Sequence, residues 1–186
     1  MQDLSSIERR AARIRLLLMD CDGVLTDGRL WLIDEGDEQK NFNVRDGLGL
    51  HLWHRSGLKS GIISGRTSSA LERRAHGLRV EYVRQGSENK TKDFEELLGL
   101  AEVDEKEVAF VGDDLNDIPL MLRSELAVAV ADAAEETRAV AHLVTQAAGG
   151  SGAIREVVEV ILKAQGRWAE VTEKYLKAVD SWHRAK

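Results

Sequence analysis

The sequence predicts an α/β protein, built as a doubly wound, Rossmann-like parallel sheet with helices on both faces. Short apolar runs alternate with segments of helical periodicity, an order typical of parallel sheets that are covered on both sides. Asp20, Ser64 and Asp113 each end one of these apolar runs. Because ligands on such sheets bind at the carboxyl ends of the strands, these three side chains are candidates for one functional site.

The bulk properties favour one globular domain. The chain has 186 residues, of which 43% are hydrophobic and 31% charged, so we expect a single domain over residues 1–186. No apolar run is long enough to span a bilayer, and the net charge of −6 argues against nucleic acid. The single cysteine, Cys21, suits a reducing cytoplasm. We therefore expect a cytoplasmic protein with neither a membrane nor a nucleic-acid partner.

The elements can be placed in chain order from these patterns. Residues 1–13 are polar and Arg-rich, and they predict a short leading helix. The candidate strands are short apolar runs: Arg15–Asp20, Leu58–Ser64, Val80–Arg84, Val108–Asp113, Ala127–Val130 and Leu143–Thr145. The helices predicted between them lie near Leu48–Arg55, Ser68–His76, Thr91–Leu98, Asp117–Arg123 and Ala134–Ala141.

One segment, at about residues 28–45, breaks the alternation and predicts a protruding β-hairpin, which we call the flap. Its predicted strands are residues 30–33 and 42–44, and its polar turn is residues 34–37. The flap follows the first aspartate pair directly, so we expect it to overhang the site. Its apolar residues have no obvious partner within one chain.

The C-terminal part of the chain predicts helix. A core-facing stripe is formed by Ile154, Val157, Val158, Ile161 and Leu162. In the tail, at about residues 167–186, a second stripe continues roughly on one face: Trp168, Val171, Tyr175, Val179 and Trp182. This stripe could pack onto the body of the protein or contact a neighbouring subunit, and the sequence favours neither alternative.

The segment Asp20-Cys21-Asp22-Gly23 is the first chemical motif. Residues i and i+2 of an extended segment share a face, so both carboxylates could reach one pocket. One carboxylate could attack phosphorus while the other handles the proton, and Gly23 allows the chain to turn sharply away. Taken alone, the motif is equally compatible with a solvated turn or a calcium-type loop.

The segment Gly112-Asp113-Asp114-Leu115-Asn116-Asp117 is the second motif. Mg²⁺ commonly binds through one or two carboxylates plus a substrate phosphate, and Asp20 and Asp113 could be those carboxylates. The alternative is that the aspartates after Asp113, or Asn116, only cap the following helix. Both can hold at once, with Asp113 on the metal and one of the others in a structural role.

Two further elements supply hydroxyl, amide and cationic groups. Ser64-Gly65-Arg66 ends its strand with groups that can hold a phosphoryl oxygen, and Arg66 adds a bidentate fork for a phosphate or carboxylate. Lys90 opens a predicted helix and would supply a point charge. Basic residues fall in the middle of this acidic chain and suit a small anionic substrate: Arg45, Arg66, Arg73, Arg74, Lys90 and Lys92.

In order and placement, these four elements resemble the haloacid dehalogenase-like phosphotransferases. The resemblance implies that Asp20 is a nucleophile forming an aspartyl-phosphate, and that Asp22 is the general acid and later the base. It also implies that Mg²⁺ is held by Asp20, Asp113 and the backbone carbonyl of Asp22, while Ser64 and Lys90 steady the phosphoryl group. The gaps between the motifs leave no room for a cap domain, so the protein either encloses its substrate in another way or accepts large substrates. The absence of a cap also favours hydrolysis over a phosphomutase or phosphotransferase reaction, because a cap would exclude water.

A longer match extends over residues 20–28, 42–49, 149–156 and 164–166. In these segments the chain resembles the 3-deoxy-D-manno-octulosonate 8-phosphate (KDO 8-phosphate) phosphatases. The resemblance implies a homotetramer packed through flap hairpins and a small phosphorylated sugar acid as substrate. The substrate contacts that it implies are Asp22, Asn43, Val44, Arg45, Asp46, Gly47, His51, Arg66, Arg74 and Lys90.

Some features leave other functions open. His51 stands where some relatives have arginine, Ser151 interrupts a turn that is often basic, and the tail is long. The 9-phosphates of nine-carbon sugar acids, such as KDN or N-acetylneuraminate, are therefore alternative substrates. A non-catalytic module that accompanies a sugar-nucleotide enzyme is a further alternative. Against it, Asp20, Asp22, Lys90 and Asp113 are all present, whereas a module without activity is expected to have lost at least one of them.

Overall fold

A parallel sheet forms the centre of the molecule. A computed structural model describes residues 4–33 and 38–184, with side chains up to residue 177. Over this part of the chain the strands are β1 (Leu16–Met19), β2 (Trp31–Leu32), β3 (Glu38–Gln39), β4 (Lys59–Ile63), β5 (Tyr82–Arg84), β6 (Val108–Gly112), β7 (Leu126–Ala129) and β8 (Leu143–Val144). Six of them pair in parallel in the order β5-β4-β1-β6-β7-β8, which confirms the predicted parallel sheet.

Helices connect the strands and cover the sheet. They are α1 (Leu4–Ala11), α2 (Val44–Arg55), α3 (Ser69–Leu78), α4 (Lys90–Ala101), α5 (Ile118–Arg123), α6 (Glu135–Val140), α7 (Ala153–Ala164) and α8 (Trp168–Arg184). The chain moves outward from β1 to β4 and β5, and then crosses back to β6, β7 and β8. Right-handed crossovers in these two directions place the helices on opposite faces. The fold is therefore doubly wound, as predicted.

The strand order reverses at β1, between β4 and β6. In open α/β sheets a crevice forms at such a switch point, beyond the carboxyl ends of the strands. All four residues of β1 are buried, because helices cover both faces of the sheet at its centre. Asp20 follows β1, Ser64 follows β4 and Asp113 follows β6, so the three predicted side chains do lie at this edge.

The flap is a hairpin, but its second strand was predicted wrongly. Trp31 pairs with Gln39 and Leu32 with Glu38, whereas residues 42–44 were expected to form the partner strand. Val44 instead begins α2, four residues before the predicted start. The reason is the cap at Asn43, whose side chain accepts a hydrogen bond from the backbone of the new helix. The predicted turn at residues 34–37 lies outside the described residues.

The C-terminal helices pack onto the body. The α7 stripe is buried as predicted, and α7 lies against α2. Val171 in α8 is buried, and the Trp168 ring packs on the core with the Arg155 guanidinium 5.2 Å from its centroid. Tyr175 is 42% exposed, and the side chains of Val179 and Trp182 lie outside the described part. No helix in the described ranges has the length and apolar character needed to cross a bilayer.

Candidate active site

A buried lysine joins two carboxylates at the centre of the sheet edge. Asp20 is only 6% exposed; its Oδ1 accepts a hydrogen bond from the Cys21 amide at 2.6 Å. Its Oδ2 accepts from Lys90 Nζ at 2.9 Å. Lys90, the first residue of α4, also donates to Asp117 Oδ1 at 2.8 Å. The amine therefore holds the Asp20 carboxylate in place and partly balances its charge.

Asp117 is a site residue whose role the sequence did not reveal. It is fully buried, and its Oδ2 accepts a hydrogen bond from the Asp113 amide at 3.0 Å. Helix capping was one prediction for it, but its side chain makes no capping bond to α5. Asp114 is the residue that caps, since its carboxylate accepts from the Leu115 amide at 2.8 Å. Asp117 instead ties Lys90 to the backbone of Asp113.

The carboxylates at this edge can hold a divalent cation. One oxygen from each of Asp20, Asp113 and Asp117 lies within 4.8 Å of the others. Asp113 Oδ1 is buried and has no hydrogen-bond partner among the described residues. Leaving such a group unpaired costs about 1–3 kcal/mol, which a bound cation would offset. Clustered carboxylate oxygens are hard ligands of the kind that Mg²⁺ prefers, so the residues present fit this ion.

The charges of the cluster perturb one another. Burial, and then the Asp117 carboxylate, raise the pKa of Asp20 to about 6, against the opposing effect of Lys90. Burial, followed by Asp117 and Asp20, raises the pKa of Asp113 to about 8. Burial alone would lower the pKa of Lys90, but Asp117 and Asp20 together raise it. The cluster therefore holds more negative charge than the lysine can balance.

Two glycines allow this close approach. Gly23 has φ +88°, a conformation that L side chains rarely adopt, and a Cβ there would run into the Asp113 carboxylate. A Cβ on Gly112 would run into the side chain of Asp117. Both aspartates therefore pack directly against backbone, which keeps the carboxylates near Asp20.

Asp22 contacts the flap rather than the sheet. Its carboxylate forms an ion pair with Lys40, which follows β3. Lys40 Nζ also lies 3.5 Å from Glu38 Oε2, and the other oxygen of Glu38 is paired with Arg66. Glu38 and Lys40 could not be predicted as site residues, because their only signal in the sequence is two opposite charges spaced by one residue.

The Ser64-Gly65-Arg66 turn forms part of a cavity wall. The Ser64 hydroxyl is buried, donates to the Arg66 carbonyl at 3.2 Å and accepts from the Arg66 amide at 3.3 Å. The turn faces a cavity of about 270 Å³. The cavity is lined by Asp20, Asp22, Gly28, Gly65, Arg66, Asp113, Asp114 and Asn116. The structure therefore brings the predicted nucleophile, acid, metal ligand and arginine together.

The predicted substrate residues near the start of α2 hold one another. Asn43 accepts a hydrogen bond from the Arg45 amide at 2.8 Å and donates to the Gly150 carbonyl at 3.2 Å. Arg74 donates to the Asn43 carbonyl at 3.0 Å, and a Cβ on Gly47 would come within 2.7 Å of its guanidinium. In this arrangement Arg74 fixes the loop that precedes α2.

The remaining predicted contacts lie apart from the cavity. Asp46 is 1% exposed, and its Oδ1 accepts from the Arg155 amide at 2.8 Å, at the start of α7. Val44 and Arg45 are exposed. His51 lines a second cavity, of about 350 Å³, together with His54, Arg55, Gly77, Leu78 and Arg79. Substrate contact by these residues stays a prediction.

The fold and the site together define a haloacid dehalogenase-like hydrolase. The family model with that description matches residues 74–157, which include Lys90, Asp113 and Asp117. The parallel sheet without a cap domain in its described part, and the aspartate pair after β1, agree with this class.

Comparison with individual proteins places the chain more closely within the haloacid dehalogenase-like hydrolases. The chain is 44% identical over 149 residues to the KDO 8-phosphate phosphatase of Yersinia pestis, and the aligned region covers 80% of each chain. A probable YrbI-family phosphatase of Pseudomonas syringae superposes with a TM-score of 0.90 at 43% identity, covering 92% of this chain and 98% of the other.

A third relative was solved with ligands. The KDO 8-phosphate phosphatase of Moraxella catarrhalis, in complex with magnesium, phosphate and KDO, superposes with a TM-score of 0.90 at 36% identity. The match covers 93% of this chain and 99% of that one. The chain therefore belongs to the KDO 8-phosphate phosphatase family, and it is a phosphoric monoester hydrolase.

Proposed function

We propose that this protein hydrolyses KDO 8-phosphate to KDO and phosphate, with Mg²⁺ and through an aspartyl-phosphate on Asp20. The observation that carries the proposal is the buried arrangement of Asp20, Lys90 and Asp113. Asp20 is held by the Lys90 amine, and Asp113 presents an oxygen without a partner among the described residues. A nucleophile, its counter-ion and a cation ligand are thus in place at one sheet edge. Such a set supports catalysis rather than a purely structural module.

The first half of the reaction forms the covalent intermediate. A carboxylate oxygen of Asp20 attacks the phosphorus atom, and the bond between phosphorus and the sugar oxygen breaks. The protonated Asp22 carboxyl gives its proton to that oxygen, so the sugar acid leaves as an alcohol. Lys90 and Ser64 steady the phosphoryl oxygens during the transfer.

The second half regenerates the enzyme. Water attacks the phosphorus atom of the aspartyl-phosphate, and Asp22, now a carboxylate, accepts a proton from that water. The bond between phosphorus and the Asp20 oxygen breaks, which releases phosphate and restores the Asp20 carboxylate. Asp22 carries the proton again, so the protons balance over one turnover.

The metal would be held by Asp20, Asp113 and the backbone carbonyl of Asp22. Bound Mg²⁺ would neutralise the charge on the phosphoryl oxygens, on which phosphoryl transfer largely depends. Asp117 acts behind these ligands, because it holds both Lys90 and the Asp113 backbone. Its burial keeps it away from the substrate itself.

The sugar acid would be recognised at the mouth of the site. Arg66 lines the cavity, and its planar guanidinium can bind a carboxylate through two hydrogen bonds. We propose that the other predicted contacts serve substrate recognition, either directly or by holding the loop before α2. They are Asn43, Val44, Arg45, Asp46, Gly47, His51 and Arg74.

A phosphate-release panel tests the proposed function. It compares KDO 8-phosphate with KDN 9-phosphate, N-acetylneuraminate 9-phosphate and hexose phosphates, with and without EDTA. We expect the highest kcat/KM for KDO 8-phosphate, activity restored by Mg²⁺ after EDTA, and no turnover by Asp20→Asn. Preference for a nine-carbon acid would overturn the substrate, and an active Asp20→Asn variant would overturn the intermediate.

We also propose a homotetramer formed through the flaps. The flap exposes four consecutive apolar side chains: Leu30 at 49%, Trp31 at 57%, Leu32 at 76% and Ile33 at 46%. A contiguous apolar patch of this kind suits burial against further copies of the chain. Light scattering should give a tetramer for the native protein and smaller species for Leu32→Asp. The matched control is Leu4→Asp, which alters an exposed leucine of α1 (71%). A native monomer would exclude the tetramer.

A cytoplasmic location is a further part of the proposal. Cys21 is a free, buried thiol, and it is the one cysteine in the sequence. Such usage is typical of proteins in reducing compartments. Fractionation of the host cells would test it, and recovery outside the cytoplasmic fraction would contradict it.

A further inference from the structure

Four charged side chains of alternating sign connect the proposed acid to the arginine at the cavity mouth. Lys40 is paired with Asp22 and lies 3.5 Å from Glu38, which is in turn paired with Arg66. The two middle residues belong to the flap, and the two outer ones follow strands of the main sheet. The flap therefore reaches into the site through charged groups.

The burial of Lys40 sets it apart from an ordinary surface charge. Its side chain is 2% exposed, compared with 21% for Asp22. Lysine is almost never fully buried unless it is paired, because removing an ammonium group from water is costly. Two carboxylates, Asp22 and Glu38, offset that cost here, and Asp22 lines the same cavity as Asp20.

We propose that Lys40 is a positioning residue that holds the Asp22 carboxyl group in its catalytic orientation. The inference rests on the proposed function, in which Asp22 is the general acid and base. Lys40 binds Oδ1 of Asp22, and no described side chain donates to Oδ2. Oδ2 is therefore the oxygen that exchanges a proton with the leaving group and with water.

Glu38 keeps the lysine in register. It is the second carboxylate near Lys40 Nζ, and its pair with Arg66 anchors the flap to the turn after β4. The ladder pairs of the hairpin, Trp31 with Gln39 and Leu32 with Glu38, place residues 38–40 over the site. The flap thus contributes to the chemistry of its own chain.

The proposal is tested by comparing the cleavage of esters with different leaving groups. Loss of a purely structural lysine would slow the cleavage of all of them alike. An alkyl phosphate needs a proton on its leaving oxygen, whereas p-nitrophenolate leaves without one. For Lys40→Met we expect kcat on KDO 8-phosphate to fall about 10- to 100-fold, part of what a general acid supplies, with KM changed less. The pre-steady-state burst of p-nitrophenolate should keep its native rate, while the later turnover is slowed.

Three further variants complete the experiment. Lys40→Arg keeps the charge and should recover most of the alkyl-phosphate activity. Asp22→Asn should show the same leaving-group selectivity as Lys40→Met, only stronger. Lys163→Met, which removes an exposed lysine of α7, should behave like the native enzyme. Circular dichroism and thermal melts establish that each variant is folded at the assay temperature, and Lys40→Gln replaces Lys40→Met if that variant is not folded.

The outcomes separate this inference from the proposed function. If Lys40→Met slows the p-nitrophenolate burst as much as it slows cleavage of the alkyl ester, or keeps full activity on the alkyl ester, the positioning role is wrong. If the native enzyme cleaves another alkyl phosphate but not KDO 8-phosphate, the proposed substrate is wrong, and the same comparison is made with the ester that is cleaved. If Asp22→Asn shows no leaving-group selectivity, Asp22 is not the acid and the inference falls with it.

Discussion

Binding of Mg²⁺ at pH 7 is expected to release about one proton from this protein. Burial and the neighbouring carboxylates raise the pKa of Asp113 to about 8, so about nine-tenths of this group is protonated at pH 7. The pKa of Asp20 is raised to about 6, so Asp20 carries about a further tenth of a proton at pH 7. Both groups must be carboxylates to bind the metal, so their protons leave when it binds.

Isothermal titration calorimetry in two buffers of different ionisation enthalpy measures this release. At pH 9 Asp113 is already mostly ionised, and the release should fall to about 0.1 proton. The matched control is Asp114→Asn, because Asp114 is the exposed neighbour that caps the next turn. It should keep both the binding and the release. Asp113→Asn should weaken binding and remove most of the release.

Thermal melts provide an independent check. In the metal-free protein the folded state binds more protons than the unfolded chain, because burial raises the folded-state pKa of both Asp20 and Asp113. Unfolding therefore releases protons, and stability in EDTA should fall as the pH rises from about 4 to about 8. Excess Mg²⁺ should reduce this fall. A release below about 0.3 proton at pH 7, with stability independent of pH, would refute the reasoning.

Two substitutions test the packing beneath the site. Gly23→Ala places a methyl group against the Asp113 carboxylate at φ +88°, so calorimetry should show weaker Mg²⁺ binding and melts a loss of over about 1 kcal/mol. The control Gly99→Ala, with open space around an exposed helical glycine, should gain up to about 1 kcal/mol. Asp117→Asn should lower kcat at least about 10-fold while the protein stays folded, because Lys90 loses an anionic partner. Native kcat would contradict its role.

The sheet and the position of the site could be predicted because their signals are local. Four consecutive apolar residues before Asp20 indicate a strand buried on both faces, and the same pattern precedes Asp113. The parallel order then brings both aspartates to one edge without any knowledge of side-chain contacts. The residue that each strand ends in was therefore enough to locate the site.

Contacts between distant segments could not be predicted in this way. The wrong flap register arose because residues 42–44 alternate like a strand, while the cap at Asn43 commits the chain to helix. Nothing near Lys40 in the sequence indicates that it is buried against Asp22, since a lysine in a hairpin is usually solvated. The local sequence around Asp117 is typical of a helix cap. Its contact with Lys90 joins residues that are 27 positions apart, so it depends on the fold.

The charge balance of the site explains why these groups occur together. Five carboxyl groups meet at the sheet edge and the flap, on Asp20, Asp22, Glu38, Asp113 and Asp117, against three cations, on Lys40, Arg66 and Lys90. Burial, and then the neighbouring carboxylates, raise the pKa values of Asp20 and Asp113, and the excess of negative charge would repel a phosphate dianion. One divalent cation at Asp113 would offset this negative charge and would supply a partner for Oδ1 of this residue. A divalent cation held by Asp20 and Asp113 would therefore lower the repulsion that a phosphate ester meets at this edge, and the same negative charge favours a cation there.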